Sequence, residues 1–283
     1  MDWRRAAMIL ISSFIVLNII LAVNLWVRER PAGEFTLTQY QQQEIEDQLS
    51  QKGIKLEVKI PEKSLPQAFL EVGYKKVDRQ KILENFLGEG VKPRVEQIQG
   101  GTSYTIDSRQ LIIMDNGIIT YFNKKEENAL ASLSRQEAEA MATDFMKSHG
   151  GLPQEAVLNS ITYDAKTKSY LIEYVRNYDG FFVANSYIDI LVSPSGVKNY
   201  YQSWLNIYGY KGKKRAVISP FTAIMRVASE KKNADSMVIT GIKQGFYSKF
   251  YDAERWQAAP VWKIGLKNGD VYYVNAYTGE LEQ

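Results

Sequence analysis

The chain has 283 residues, no cysteine and a single histidine. The first absence excludes disulfides, a thiol nucleophile, thiolate metal ligands and a lipoprotein anchor. The second excludes a histidine-rich metal site, and leaves His149 no second histidine or cysteine with which to share a metal ion. Also missing are H-E-x-x-H, G-x-S-x-G, the phosphate-binding P-loop and G-x-G-x-x-G. Charge of one sign is scarce as well. The 35 Lys and Arg against 32 Asp and Glu leave a formal +3, too little to mark a nucleic-acid partner.

The remaining candidates for chemistry are weak. Two S-x-x-K matches, Ser195 to Lys198 and Ser229 to Lys232, lack their S-D-N and K-T-G companions, and the first spans a hairpin turn that would splay the two side chains. Glu126-Glu127 and Glu280/Glu282 lie in solvated segments where nothing fixes two carboxylates at a working separation. His149 reads as the end of a helix, interacting with its carbonyl pole. The reading is therefore of a protein that is not an enzyme, with no cofactor, no metal and no catalytic residue. The run Lys211-Gly212-Lys213-Lys214-Arg215 reads as a solvated loop, and the 18 tyrosines as strand and half-buried surface residues.

What is present starts with "RRAAMILISSFIVLNIILAVNLWVRER". From Ala6 to Val27 no residue is charged. As a helix this run spans about 33 Å, enough for a hydrocarbon core of roughly 30 Å. It is longer than the apolar region of a secretory signal and lacks a small-residue cleavage pattern, so it reads as a retained anchor. Arg4 and Arg5 balance Arg28 and Arg30, so charge does not set the orientation. A long following domain translocates largely regardless of charge, which places a short N-terminus in the cytoplasm and the body outside the cell membrane. Within the span Ser13, Asn18, Ala22 and Asn24 are candidate contacts for a partner helix. Asn18 and Ala22, four apart, share one face, and Ser13 with Asn24 nearly share another. The alternative is that the serines bond their own backbone and Asn24 sits at the interface.

The body begins with a helix through "QYQQQEIEDQLSQKG", capped by Thr36 or Thr38 and ended by Gly53. Ile54, Leu56, Val58 and Ile60 then alternate as a half-buried strand up to Pro61. A strand in "FLEVGYKKV" and a helix from Asp78 to Gly88 or Gly90 follow. Beyond residue 100 a strand, a glycine turn and a tyrosine four residues later recur three times, at Gly117/Tyr121, Gly196/Tyr200 and Gly269/Tyr273. Asn116-Gly117 and Asn268-Gly269 suit two-residue hairpins, because both residue types tolerate positive φ.

Amphipathic helices precede the second and third hairpins. One has a Ser134/Glu137 capping box and a stripe of Ala138, Met141, Ala142, Phe145 and Met146; the other has Ser219, Pro220 and a stripe of Ile224, Val227 and Ala228. The fold class is α+β, helix-plus-antiparallel-sheet units that resemble the small modules of PepSY-type domains. The division is a tail at 1–5, a transmembrane helix at 6–27, a linker at 28–35, a first α+β unit at 36–128 and a second α+β region with two helix-hairpin repeats at 129–283.

The opening "MDWRR", the single span, the junction "QLSQKGIKLEVKIP" and the C-terminal "PVWKIGLKNGDVYYVNAYTGELE" together resemble the YycI (WalI) family of low-GC Gram-positive bacteria. The resemblance implies a membrane-anchored, non-catalytic accessory protein of a two-component system that governs cell-wall metabolism. It also implies two partners, a YycH-like protein and the sensor histidine kinase YycG (WalK), the latter contacted through transmembrane helices. The competing expectation is a surface module that binds a wall glycan, peptide or exported protein, with the span as a tether.

Overall fold

The structure is a computed structural model that describes residues 14, 35–36, 38–125, 132–230, 237–249, 251 and 253–282. Among these no helix is long and apolar enough to cross a membrane. The segments assigned to a tail (1–5), a span (6–27) and a linker (28–35) lie outside the described residues except for Phe14 and Phe35, and so do Ser13, Asn18, Ala22 and Asn24. The boundary drawn at 128/129 also falls outside them.

Thr38 opens helix α1 (Gln39–Gln51) with a complete capping box, its side chain accepting from the Gln41 amide while the Gln41 side chain accepts from the Thr38 amide. The alternating segment after Gly53 keeps its expected burial but not its expected ladder. Ile54 and Ile60 are buried and Leu56 and Val58 half-buried, yet the strand is only β2 (Lys55–Leu56), between a short β1 (Phe35–Thr36) and β3 (Lys63–Ser64) that pair with each other. Its partner strand begins only at Val238, so two parallel rungs form and the chain then turns away. Strand β4 (Gln67–Gly73) and helix α2 (Arg79–Leu87, capped by Asp78 and ended at Gly88) stand as expected.

From α2 onward one pattern recurs three times: a helix, then four consecutive antiparallel strands. The first set is α2 with β5 (Arg94–Ile98), β6 (Gly101–Ile106), β7 (Arg109–Met114) and β8 (Ile119–Asn123). The second is α3 (Arg135–Ser148) with β9 (Ala156–Asp164), β10 (Ser169–Tyr178), β11 (Phe181–Ser193) and β12 (Gly196–Ser203). Strand β13 (Asn206–Arg215) intervenes. The third set is α4 (Pro220–Glu230) with β14 (Val238–Tyr247), β15 (Trp256–Leu266), β16 (Val271–Asn275) and β17 (Leu281–Glu282). The glycine-tyrosine hairpins are β7–β8, β11–β12 and β15–β16, the last two being those preceded by the expected helices.

The architecture is thus α+β, mostly sheet with four helices among the described residues. The first two sets join edge to edge, β8 antiparallel to β12, while the second and third meet where β11 runs parallel to β14 over Phe182↔Gly245 and Val183↔Phe246. Strand β4 enters from the N-terminal part and pairs with β13 and β15. One apolar core lies under α2 and α3, a second under α1 and α4, and a smaller third around Leu70, Val72 and Phe246.

Two local expectations change. In both Asn-Gly hairpins the loop has three residues: the Met114 amide bonds to the Ile118 carbonyl and the Leu266 amide to the Asp270 carbonyl. Gly117 (φ +82°) and Gly269 (φ +93°) take the left-handed position alone, while each Asn accepts a hydrogen bond from the amide two residues on. The basic run 211–215 is the end of β13 rather than a loop. Lys211 pairs with Phe69 and Arg215 with Gln67 around a bulge, and the Arg215 guanidinium lies 4.1 Å from the Tyr277 ring centre. Pairing to β4 extends this exposed segment, and charge on a sheet edge discourages further pairing.

Candidate functional site

Side chains alternate along a strand, so a strand covered on one face must present its intervening residues on the other. Ile172 and Tyr174 of β10 are buried in the core under α3, leaving Leu171, Glu173, Val175 and Asn177 on the opposite face. In β15 Trp262 and Ile264 pack in the core under α4, leaving Lys263 on the opposite face. Because β11 and β14 pair over only two rungs and then follow different partners, these uncovered faces enclose a cleft of about 750 Å³. That volume lies in the range of small-molecule sites, roughly 300–1,000 Å³.

The cleft is charged in an ordered way. Glu173 of β10 stands directly opposite Asp189 of β11, and Lys243 of β14 directly opposite Lys263 of β15. All four line the cavity, giving it one acidic and one basic wall, and the exposed Lys63 adds a third cation to its lining. Glu173 accepts from Ser160 Oγ at 3.2 Å, and Lys243 Nζ donates to Asn159 Oδ1 at 3.1 Å. Among the described residues no ion pair within 4 Å joins the acidic wall to the basic one. Burial, with the Glu173 charge adding to it, pushes the Asp189 carboxyl up to about 6. Burial pulls the Lys263 ammonium down, Lys243 acting in the same direction and Glu173 against it.

Two tyrosine pairs flank these walls. The Tyr187 and Tyr201 rings stack at 5.4 Å, and those of Tyr247 and Tyr273 at 4.5 Å with an interplanar angle of 7°. Burial raises the Tyr273 hydroxyl to about 12 and Tyr187 still further, so both remain neutral donors. Val157, Leu158, Leu171 and Val271 line the same cavity at 41–45% exposure, an apolar surface turned to solvent. The arrangement offers a ligand both signs of charge, neutral hydroxyls and an apolar flank.

The residues weighed from sequence fall elsewhere. The His149 Nδ1–H donates to the Phe145 carbonyl at 2.7 Å, and the ring stacks on Phe145 at 3.9 Å. Burial lowers its pKa, so it closes the end of α3 as a neutral donor rather than as a cation. A smaller cavity of about 260 Å³ lies beside it. Ser195 bonds Ser193 and Lys198 bonds the Lys125 carbonyl, which separates that serine-lysine pair; Ser229 bonds the Arg226 carbonyl, and Lys232 lies outside the described residues, as do Glu126 and Glu127. Glu282 accepts from the Asn275 amide nitrogen. No group of three or more His, Asp or Glu among the described residues is arranged to hold a metal ion.

Sequence reading missed Glu173, Asp189, Lys243 and Lys263. The signal was there for three of them, a lone charge inside an apolar strand: "YLIEYV", "SYIDILV" and "VWKIGL". Which of those charges converge was not readable, since they come from four strands.

A family model described as YycI protein matches residues 34–277. Among solved structures, the crystal structure of an uncharacterized protein from Eubacterium rectale has a TM-score of 0.55 and 11% sequence identity, covering 82% of this chain and 91% of that one. At such identity the likeness is one of fold. No curated protein matches the chain.

Proposed function

The chain belongs to the YycI family, and on that footing we propose that it is a non-catalytic accessory regulator of the sensor histidine kinase of the YycFG (WalRK) two-component system, acting beside a YycH-like protein. In this reading residues 6–27 hold it in the cell membrane, with the short N-terminus in the cytoplasm and the body outside. The observation that carries the proposal is the extent of the family match, which takes in nearly all of the folded body.

A single helix biases a kinase when it binds one arrangement of the kinase's spans better than the other. A tenfold bias needs ~1.4 kcal/mol of differential affinity. Hydrogen bonds between membrane helices contribute roughly 0.6–2 kcal/mol each, so one or two contacts from Ser13, Asn18 or Asn24 are enough, with Ala22 allowing close approach.

The test is co-purification of the kinase from detergent-solubilised membranes, with the intact chain and with one whose residues 6–27 are replaced by a polyleucine-like span. Retention by the native span and loss with the replacement is the expected result. Retention by both assigns recognition to the body, and retention by neither removes the kinase reading. The second reading, a tethered surface module, is favoured by the charged cleft, and under it the replacement is harmless.

A further inference from the structure

We propose that the cleft between β10–β11 and β14–β15 binds a short peptide with free ends, its carboxylate held by Lys243 and Lys263 and its ammonium by Glu173 and Asp189. This rests on reading the cleft as a ligand site and is independent of any kinase contact.

The argument starts from cost. Two carboxylates directly opposite one another, and two ammoniums likewise, are each destabilising on a sheet. Here both pairs stand in one cleft in which Glu173, Asp189 and Lys263 are half-buried and Lys243 is exposed, and desolvation makes uncompensated charge on the first three more expensive. The fold relieves this only in part: Glu173 acts electrostatically on Lys263, yet among the described residues no ion pair within 4 Å joins Glu173 or Asp189 to Lys243 or Lys263. A ligand carrying both charges relieves both walls at once.

Charge also decides the class. A polyanion meets the acidic wall and a polycation the basic one, so each gains on one side what it loses on the other. A neutral glycan brings no countercharge to either wall. A zwitterion fits both walls, and the volume separates its kinds: about 750 Å³ leaves a single amino acid loosely held, whereas a peptide of about two to four residues fills a site of this size. Val157, Leu158, Leu171 and Val271 offer apolar contact to its side chains, and Tyr187 and Tyr273 offer hydroxyl donors to its carbonyl groups.

The experiment uses the full chain in detergent and a pool of random tripeptides in three forms: unblocked, N-acetylated and C-amidated, read by saturation-transfer NMR and competition. Binding of the unblocked pool is expected, weakened at least tenfold by either blocking group. Glu173→Gln should weaken the unblocked pool at least tenfold but leave the acetylated pool unchanged. Lys263→Gln should do the same with the amidated pool as its insensitive partner, while Lys214→Gln on β13 changes nothing. Equal binding of blocked and unblocked pools, or no binding of any pool, overturns the proposal. The comparison of pools on the unaltered chain decides it even if a variant fails to fold. An unaltered kinase co-purification would leave the kinase reading standing in either case.

Discussion

Glu173 and Asp189 face each other across β10 and β11, two carboxylates at directly opposed positions in one cleft. Burial, with the facing Glu173 charge adding to it, makes the folded state hold the Asp189 proton more tightly than the unfolded chain does, with a pKa of about 6 against an ordinary value of about 4. Its contribution to stability is full below pH ~4 and is lost as pH rises through ~6. Asp189→Asn should therefore leave stability unchanged at pH 3.5 and raise it at pH 7.5, by roughly 1–2 kcal/mol after allowance for the solvent reaching the group. Urea midpoints of both proteins from pH 3.5 to 8 check this. A gain that is the same at every pH would show that the cost is not electrostatic.

Gly245 lies opposite Phe182 at the short parallel contact that joins β11 to β14. A Cβ there would stand 2.4 Å from the Phe182 carbonyl oxygen and from its ring, and backbone cannot step aside. Gly245→Ala should cost about 3 kcal/mol or more, at or beyond the upper end of ordinary overpacking. Because Phe182 also lines the cleft, the same variant should weaken tripeptide binding. Chemical denaturation followed by the tripeptide NMR assay measures both.

Ser134 and Glu137 close a reciprocal capping box at the start of α3, with Glu137 Oε2 accepting from the Ser134 amide at 2.8 Å. Ser134→Ala should destabilise the body by roughly 1 kcal/mol, and Ser134→Asp by much less, since aspartate also caps. Parallel thermal melts of the two variants decide whether the cap or the side-chain volume matters.

Tyr121 and Tyr200, the repeated tyrosines of the first two hairpins, are cross-strand partners where β8 meets β12. Phe86 of α2 packs against both, with ring centres at 5.6 and 5.3 Å, and Phe145 of α3 does so at 5.6 and 5.8 Å. Phe86→Ala should cost about 3–5 kcal/mol, because the cavity would open under two helices at once. Phe86→Leu should cost clearly less. Denaturant midpoints of the pair test whether this cluster ties the first two sets together.

Part of this fold was written locally. The caps of α1, α2 and α3, the Ser219-Pro220 start of α4 and the stripes beneath α3 and α4 depend on residues three or four apart, and the structure keeps them all. The glycine-tyrosine hairpins were visible for the same reason. The exceptions depended on partners: 54–60 lost most of its ladder because β14 runs beside it for two rungs only, and 211–215 became strand because β4 supplied an edge.

The sequence by itself thus determined the α+β class, the helix starts and the places where the hairpins turn, since short-range sterics and hydrogen bonds set them, though the two Asn-Gly loops hold three residues rather than the expected two. Its segments "MDWRR", "QLSQKGIKLEVKIP" and "PVWKIGLKNGDVYYVNAYTGELE" also pointed to the family that the match over 34–277 establishes. Only the tertiary structure decided that four separate charged residues form two opposed walls. That arrangement depends on strand register and on where β11 parts from β14, which are set by packing between elements up to ninety residues apart (Glu173 to Lys263), so no local pattern encodes them.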